Sequence, residues 1–246
     1  MTARTRPSTA SASATASAPP APQVRRGRGR PPRTAAQTEA IRQQIQDAAA
    51  RVFAEHGYHG VSVELILQAS GLSRPTFYRY FPNAAEVIDR VLKEANDDLI
   101  AEVVSSVQRG DTPMAKVEEG LLAWRRWSER MGPLLKAIFA EIHNPNSPAA
   151  AHRQRVLDVI GSELNAAASA LGRPPFDPLQ IETFVIGVEY LGYRHHLDPD
   201  GATEANWQRT RSTMLRLALG LLGSSTEWAH ATELAALLKI QLDNPP

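Results

Sequence analysis

The 246-residue chain contains no cysteine. That excludes a disulfide framework, a thiolate zinc site and a cysteine nucleophile, and it fits a reducing compartment such as the cytoplasm. No apolar run approaches the roughly 18 residues that a membrane-spanning helix needs, so no membrane partner is expected. The first residues are Ala, Ser, Thr and Pro with scattered Arg, and they lack the apolar core of a secretion signal. Acids are missing from residues 1–36, which hold seven arginines (Arg4, Arg6, Arg25, Arg26, Arg28, Arg30 and Arg33). Of the 27 Lys and Arg residues that leaves 20 to set against 26 Asp and Glu, so a basic arm precedes a mildly acidic body. Such an asymmetry points to a polyanionic partner at the N-terminal end.

Catalytic signatures are also missing. There is no Gly-x-Ser-x-Gly elbow, no His-Glu-x-x-His and no Gly-rich phosphate loop followed by Lys. Glu118 with Glu119, or Glu182 with Glu189, read as surface carboxylates rather than an acid/base pair. His195 and His196 are adjacent and so lie on different helix faces, and nothing brings them to His143 and His152. Neither enzyme activity, a metal nor a cofactor is therefore expected.

What is present is helical. Residues 1–24 are low-complexity and cannot bury enough apolar surface to fold, so they read as disordered, and residues 25–36 form a basic arm punctuated by Gly and Pro. No alternation of β-branched residues argues for a sheet, and no internal repeat is found. A first helix is expected over 38–55, with Ile41, Ile45, Ala48, Ala49, Val52 and Phe53 on one stripe and Gly57 just past its end. Ser62 caps a short second helix with Glu64 in its first turn, and Gly71 breaks it. Ser73 caps a third, with Pro75 in its first turn, ending near residues 81–83. A long fourth helix follows over 84–109, and further helices are expected near 114–131, 133–143, 148–171, 178–197, 204–222 and 226–242.

Two short helices joined by a tight Gly turn read as a helix-turn-helix. A helix entering the major groove presents its N-terminal residues to base edges, which here are Arg74, Pro75 and Thr76. Arg can bond guanine in bidentate fashion, and Thr or Pro can touch a thymine methyl. Tyr78 and Tyr80 can reach phosphates through their hydroxyls, while Phe77 and Phe81 face inward. Spacing alone also fits an αα-hairpin with no nucleic-acid role.

The order of residues narrows this choice. The stretch from Gly57-Tyr58-His59-Gly60-Val61-Ser62-Val63 through Ala69-Ser70-Gly71-Leu72-Ser73-Arg74-Pro75-Thr76-Phe77-Tyr78-Arg79-Tyr80-Phe81, with Ala49 and Phe53 before it, resembles the DNA-binding domain of TetR regulators. The resemblance covers residues 39–99. It implies phosphate contacts from Ser62 and Tyr78 and base contacts from Arg74, Pro75 and Thr76. One departure is Ala84, which stands where the family usually has a backbone-contacting Lys. In the arm, Arg28-Gly29-Arg30-Pro31 resembles an AT-hook core, whose arginines enter a narrow minor groove. The alternative for the arm is a solvated basic tail adding salt-sensitive affinity.

The expected organisation is thus all-α: a tail and arm over 1–36, a helix-turn-helix domain over 37–99 and a helical body over 100–246. By resemblance, the body holds a ligand pocket and a dimer interface. Trp124, Trp127, Phe139, Phe184, Tyr190 and Tyr193 are the pocket candidates, with packed core as the alternative. Apolar stripes on 204–222 (Met214, Leu215, Leu217, Ala218, Leu221, Leu222) and 226–242 could pair in a homodimer or pack internally, and helices 178–197 and 204–222 are the expected interface. The function expected is a cytoplasmic, ligand-responsive regulator, a repressor by default, on double-stranded operator DNA with an unknown small-molecule effector. The rivals are an architectural DNA-binding protein driven by the arm, and an enzyme using the C-terminal cavity.

Overall fold

The computed structural model describes residues 34–198 and 202–224. The tail, the arm through Arg33 with Arg28 and Arg30, and the helix expected over 226–242 lie outside the described residues, while the last residues expected in the arm, Ala35 and Ala36, open α1. Among the described residues there are nine α-helices and no strand: α1 (Ala35–Gly60), α2 (Val63–Ser70), α3 (Arg74–Tyr80), α4 (Ala84–Val107), α5 (Pro113–Met131), α6 (Leu134–Glu141), α7 (Pro148–Ala170), α8 (Pro178–His196) and α9 (Glu204–Leu222).

Helix α1 starts three residues earlier than its apolar stripe suggests. Thr34 and Gln37 form a reciprocal capping box, with the Gln37 amide donating to Thr34 Oγ1 at 3.2 Å and the Thr34 amide donating to Gln37 Oε1 at 3.1 Å. Helical turns also continue beyond Gly57, whose φ of 68° and ψ of 174° make a kink rather than an end. Ser62 Oγ accepts from the Leu65 amide at 3.3 Å, as a cap should. Ser73 does not cap with its side chain; its hydroxyl pairs instead with Thr76 Oγ1 at 2.9 Å.

Helices α1–α3 close around Ile45, Ala48, Ala49, Phe53, Ile66 and Phe77, all fully buried. The same core continues along α4 through Val87, Ile88 and Leu92 into the body, past Trp127 and Leu135 to Ile138, Ala149 and Val156. Helix α4 is therefore the structural link. Its 24 residues span about 36 Å at 1.5 Å per residue. Asn83 caps it, accepting from the Glu86 amide at 2.9 Å.

The body clasps α4 from two sides. From α5, the Trp127 indole N–H donates to the Ala95 carbonyl at 2.8 Å, and Arg126 and Arg130 both pair with Glu102. From α7, His152 meets Asp89 at 2.9 Å and Arg155 pairs with Asp97. Helix α6 packs on α1 as well as on α5, giving the body a second hold on the N-terminal unit. A second apolar cluster unites α5, α8 and α9 around Phe184, Val188, Trp207, Met214 and Leu215. Met214, Leu215, Ala218 and Leu222 of the 204–222 stripe are buried within the chain, while Leu217 and Leu221 of the same stripe are half-buried.

Candidate nucleic-acid interface and apolar cavity

The connection between α2 and α3 depends on Gly71, whose φ of 69° lies in the left-handed region that a side chain disfavours. Three residues after it, at Arg74, the chain re-enters a helix. Gln44 Nε2 donates to the Ser70 carbonyl at 2.8 Å and Arg51 Nη2 to the Ala69 carbonyl at 3.1 Å, anchoring the end of α2 to α1. Phe77 and Phe81 turn into the core as expected, with relative exposures of 0% and 7%. That leaves the opposite face of α3 to solvent. Arg74 and Pro75 are exposed at its N-terminus, Thr76 is half-buried, and Tyr78 stands 47% exposed with its ring edge-on to Phe77 at 5.4 Å. Ser62 is half-buried, as is Tyr80.

One partner was not foreseen. Glu64, noted from sequence only as a favourable first-turn acid, forms an ion pair with Arg74 across the α2–α3 angle. The hydrogen bond from Arg74, followed by the attraction of its charge, holds the Glu64 carboxyl below its ordinary range, and the same pair raises Arg74 further. Tyr78 adds a smaller contribution on Arg74. The exposed guanidinium of Arg74 is thus oriented by an acid on the neighbouring helix. The signal available in sequence was a Glu ten residues before an Arg across a helix-turn-helix, a spacing that means nothing until the turn angle is known.

The body holds a partly open cavity of about 390 Å³ between α4, α5, α7, α8 and the end of α9. Its walls are chiefly aliphatic: Leu99, Ile100, Val103, Val104 and Val107 from α4 face Val156, Val159, Ile160, Leu164 and Ala167 from α7. Of the six aromatic candidates, Trp124 and Phe184 border this cavity. The other four do not. Trp127 is core, fixed by its bond to Ala95. Phe139 and Tyr193 stack on each other at 3.7 Å and 8°, joining α6 to α8. Tyr190 points outward, 52% exposed. The missed signal was the α4 stripe, which stays apolar at helical spacing well past the stretch that α1–α3 cover.

Polar groups at the cavity are few. Glu189 is paired with Arg153 at 3.0 Å in the wall, and burial pushes its carboxyl upward against the opposing pull of that arginine. Lys116, Gln108, Glu163 and Arg173 also line it. Behind Trp124, the two helices α5 and α8 approach so closely at Gly192 that an added Cβ would overlap the indole ring. Nearby, His195 is 2% exposed, and neither ring nitrogen has a hydrogen-bond partner. Burial, and then the charge of Arg125, lower its pKa; burial and His195 lower that of His196, whose Nε2 lies 2.6 Å from Ser128 Oγ. Among the described residues no three His, Asp or Glu side chains group as metal ligands, and no helix is long and apolar enough to cross a membrane.

Residues 45–91 match the family described as "Bacterial regulatory proteins, tetR family". The chain is 29% identical over 122 residues to the fatty acid metabolism regulator protein of Bacillus subtilis, a stretch covering 50% of this chain and 61% of that relative, less than two thirds of its length. The fold is similar to the fatty acid degradation regulator FadR of Bacillus halodurans, with a TM-score of 0.60, 20% identity and coverage of 75% of this chain and 95% of that one. It is also similar to FadR of Bacillus subtilis in complex with stearoyl-CoA, with a TM-score of 0.60, 18% identity and coverage of 74% and 98%.

Proposed function

The chain belongs to the TetR family of bacterial regulatory proteins through its N-terminal DNA-binding domain, and from that premise we propose a homodimeric repressor that leaves its operator when an alkyl-chain effector fills the body. The observation that carries this reading is the exposed face of α3. Its base-facing side chains Arg74, Pro75 and Thr76 stand on a helix that Phe77 and Phe81 lock to the core. Tyr78, with Ser62 and Tyr80 beside it, supplies hydroxyls for phosphate contacts. Arg28 and Arg30 add charge to the same end of the chain, and could compensate for Ala84.

Dimerisation is supported by α8. Leu179, Ile186, Tyr190 and Leu197 are all exposed and recur at spacings of seven, four and seven residues, which is one stripe of a helix. Two such stripes meeting about a two-fold axis would bury them and set two α3 helices into successive major grooves, about 34–36 Å apart. The operator is then an inverted repeat. The effector class follows from the aliphatic cavity and from the relatives, one of which is held with stearoyl-CoA. Release requires the effector to bind the DNA-incompetent state more tightly, and α4, common to both units, carries the change. Such a regulator works beside the chromosome, in the cytoplasm, and needs no catalytic group.

The test is fluorescence anisotropy on DNA flanking the gene, against a scrambled duplex at physiological salt. Tight binding to the flank that Arg74→Ala with Tyr78→Ala removes supports the regulator. Equal binding to both duplexes, lost when residues 1–36 are deleted, contradicts it in favour of an architectural protein.

A further inference from the structure

Resting on the alkyl-chain effector proposed above, we propose that Glu189 and Trp124 form a polar subsite in the cavity wall, and that it takes an effector whose chain bears a hydroxyl group. Glu189 of α8 lines the cavity and meets Arg153 of α7. The Arg153 Nε and Nη2 both donate to the same carboxylate oxygen, Oε2, at 3.2 and 3.0 Å. The other oxygen, Oε1, takes no hydrogen bond among the described residues. It remains accessible, unlike Gln46 Oε1, which is sealed without a partner.

Trp124 of α5 lines the cavity at the same level. Gly192, three residues on from Glu189, touches the six-membered ring of that indole at Cζ3 and Cη2, on the side remote from its N–H. The Trp124 N–H has no hydrogen-bond partner among the described residues, whereas that of Trp127 is committed to the Ala95 carbonyl. One unused acceptor and one unused donor thus border the same stretch of a chiefly aliphatic wall. A hydroxyl is the smallest group that donates and accepts at once. Paired there, it avoids the penalty that a polar group suffers when it leaves water for an apolar site unbonded.

Charge argues for a neutral group. The charged lining residues are Lys116, Arg173, Glu163 and Glu189, two of each sign among the described residues. Beside Glu189 a ligand carboxylate meets another carboxylate, and a ligand ammonium meets the Arg153 guanidinium. Either ion also gives up its water on entering. A hydroxyl suits both protonation states of Glu189. Burial pushes that carboxyl upward, against the attraction and hydrogen bonds of Arg153 and the charge of His143. When ionised, Oε1 accepts from the hydroxyl. When protonated, it is Oε1 that carries the proton, because Arg153 occupies Oε2, and the hydroxyl accepts.

The experiment uses the full chain and compares decan-1-ol with its isomer methyl nonyl ether, which keeps the oxygen and lacks the O–H. Decanoate and decylammonium complete the set. Affinity is read by calorimetry and operator release by anisotropy. The alcohol is expected to bind about tenfold more tightly than the ether, and more tightly than either ion, with operator release in the same order. Glu189→Gln is expected to narrow the alcohol–ether gap to about twofold, because the amide can turn a donor toward the cavity. If that variant does not fold with Arg153 left short of a counter-charge, Glu189→Leu combined with Arg153→Leu removes both charges together and should bind the two isomers alike. Trp124→Phe keeps a ring in place and should weaken alcohol and ether by similar factors, since both oxygens lose the same donor. Unchanged affinities in Trp124→Phe remove the indole from the subsite. Equal binding of alcohol and ether, tighter binding of decanoate than of the alcohol, or a gap that survives the Glu189 substitutions overturns the subsite and leaves the alkyl-chain effector standing. A protein that binds none of the four overturns both.

Discussion

In the N-terminal unit Ile45, Phe53, Ile66 and Phe77 are sealed from solvent against one another, whereas in the body Leu99, Trp124 and Phe184 border about 390 Å³ of empty space. The first arrangement holds a rigid surface in one shape. The second leaves unfilled room between the body helices, and α4 runs through both. The polar groups divide likewise. On the N-terminal unit the Glu64–Arg74 pair is exposed to solvent, while in the body Glu189 and His195 are largely buried, each displaced from its ordinary pKa by that burial.

The contrast is broken most severely by emptying the sealed core. Phe77→Ala is expected to cost about 3–5 kcal/mol and to abolish DNA binding. Phe184→Ala, beside a cavity that already exists, should lose less stability and leave operator affinity in place. Chemical denaturation of both variants checks the ordering. Next comes Gly192→Ala, which forces the Trp124 ring to move. Overpacking of this kind costs about 1–3 kcal/mol, and calorimetry should show ligand affinity altered while ligand-free operator affinity is kept.

Protonation gives a smaller effect. His195 has its pKa lowered by folding, so its contribution to stability is complete above the unfolded value of about 6.5 and is lost as pH falls toward the folded one. Glu129, Asp198 and Glu204 pull the other way, and burial together with the charge of Arg125 outweighs them. Thermal melts from neutral to mildly acidic pH should show a falling midpoint that His195→Leu makes flatter. If the wild-type midpoint does not fall, the imidazole is not held neutral. The smallest effect concerns Glu64→Gln. With the acid gone, Arg74 is less well oriented and the surface less repulsive to phosphate, so binding to scrambled DNA should tighten and discrimination should narrow. Unchanged discrimination in paired anisotropy titrations counts against an orienting role.

The two regions also differed in how far they could be read beforehand. In the N-terminal unit the signals are local. Gly57 and Gly71 adopt positive φ, Ser62 caps α2, and the Phe77/Phe81 spacing of one helical turn decides which face of α3 is hidden. Helix ends in the body were legible for the same reason, with Pro or Gly at nearly every break. The cavity was not. Its lining comes from aliphatic residues on several helices, and a Val at position 103 or 159 looks the same in a sequence whether it meets another side chain or a void. Choosing aromatics picked out Trp127 and Phe139 because large rings are conspicuous, yet one is tied to a backbone carbonyl and the other stacked on Tyr193. The Glu64–Arg74 pair escaped notice because ten residues of sequence separation carry no distance across a turn.

The claim that joins the two regions is that filling the body changes the grip of α3 on DNA. Linkage makes this testable in one cycle, since coupling between two sites is reciprocal. A stearoyl thioester would be titrated by calorimetry into the free protein and into the protein saturated with its operator duplex. The account expects weaker ligand binding to the operator complex, by the same factor that the ligand lowers operator affinity. Equal ligand affinity with and without operator would contradict it, and would make the cavity a binding site with no hold on the DNA.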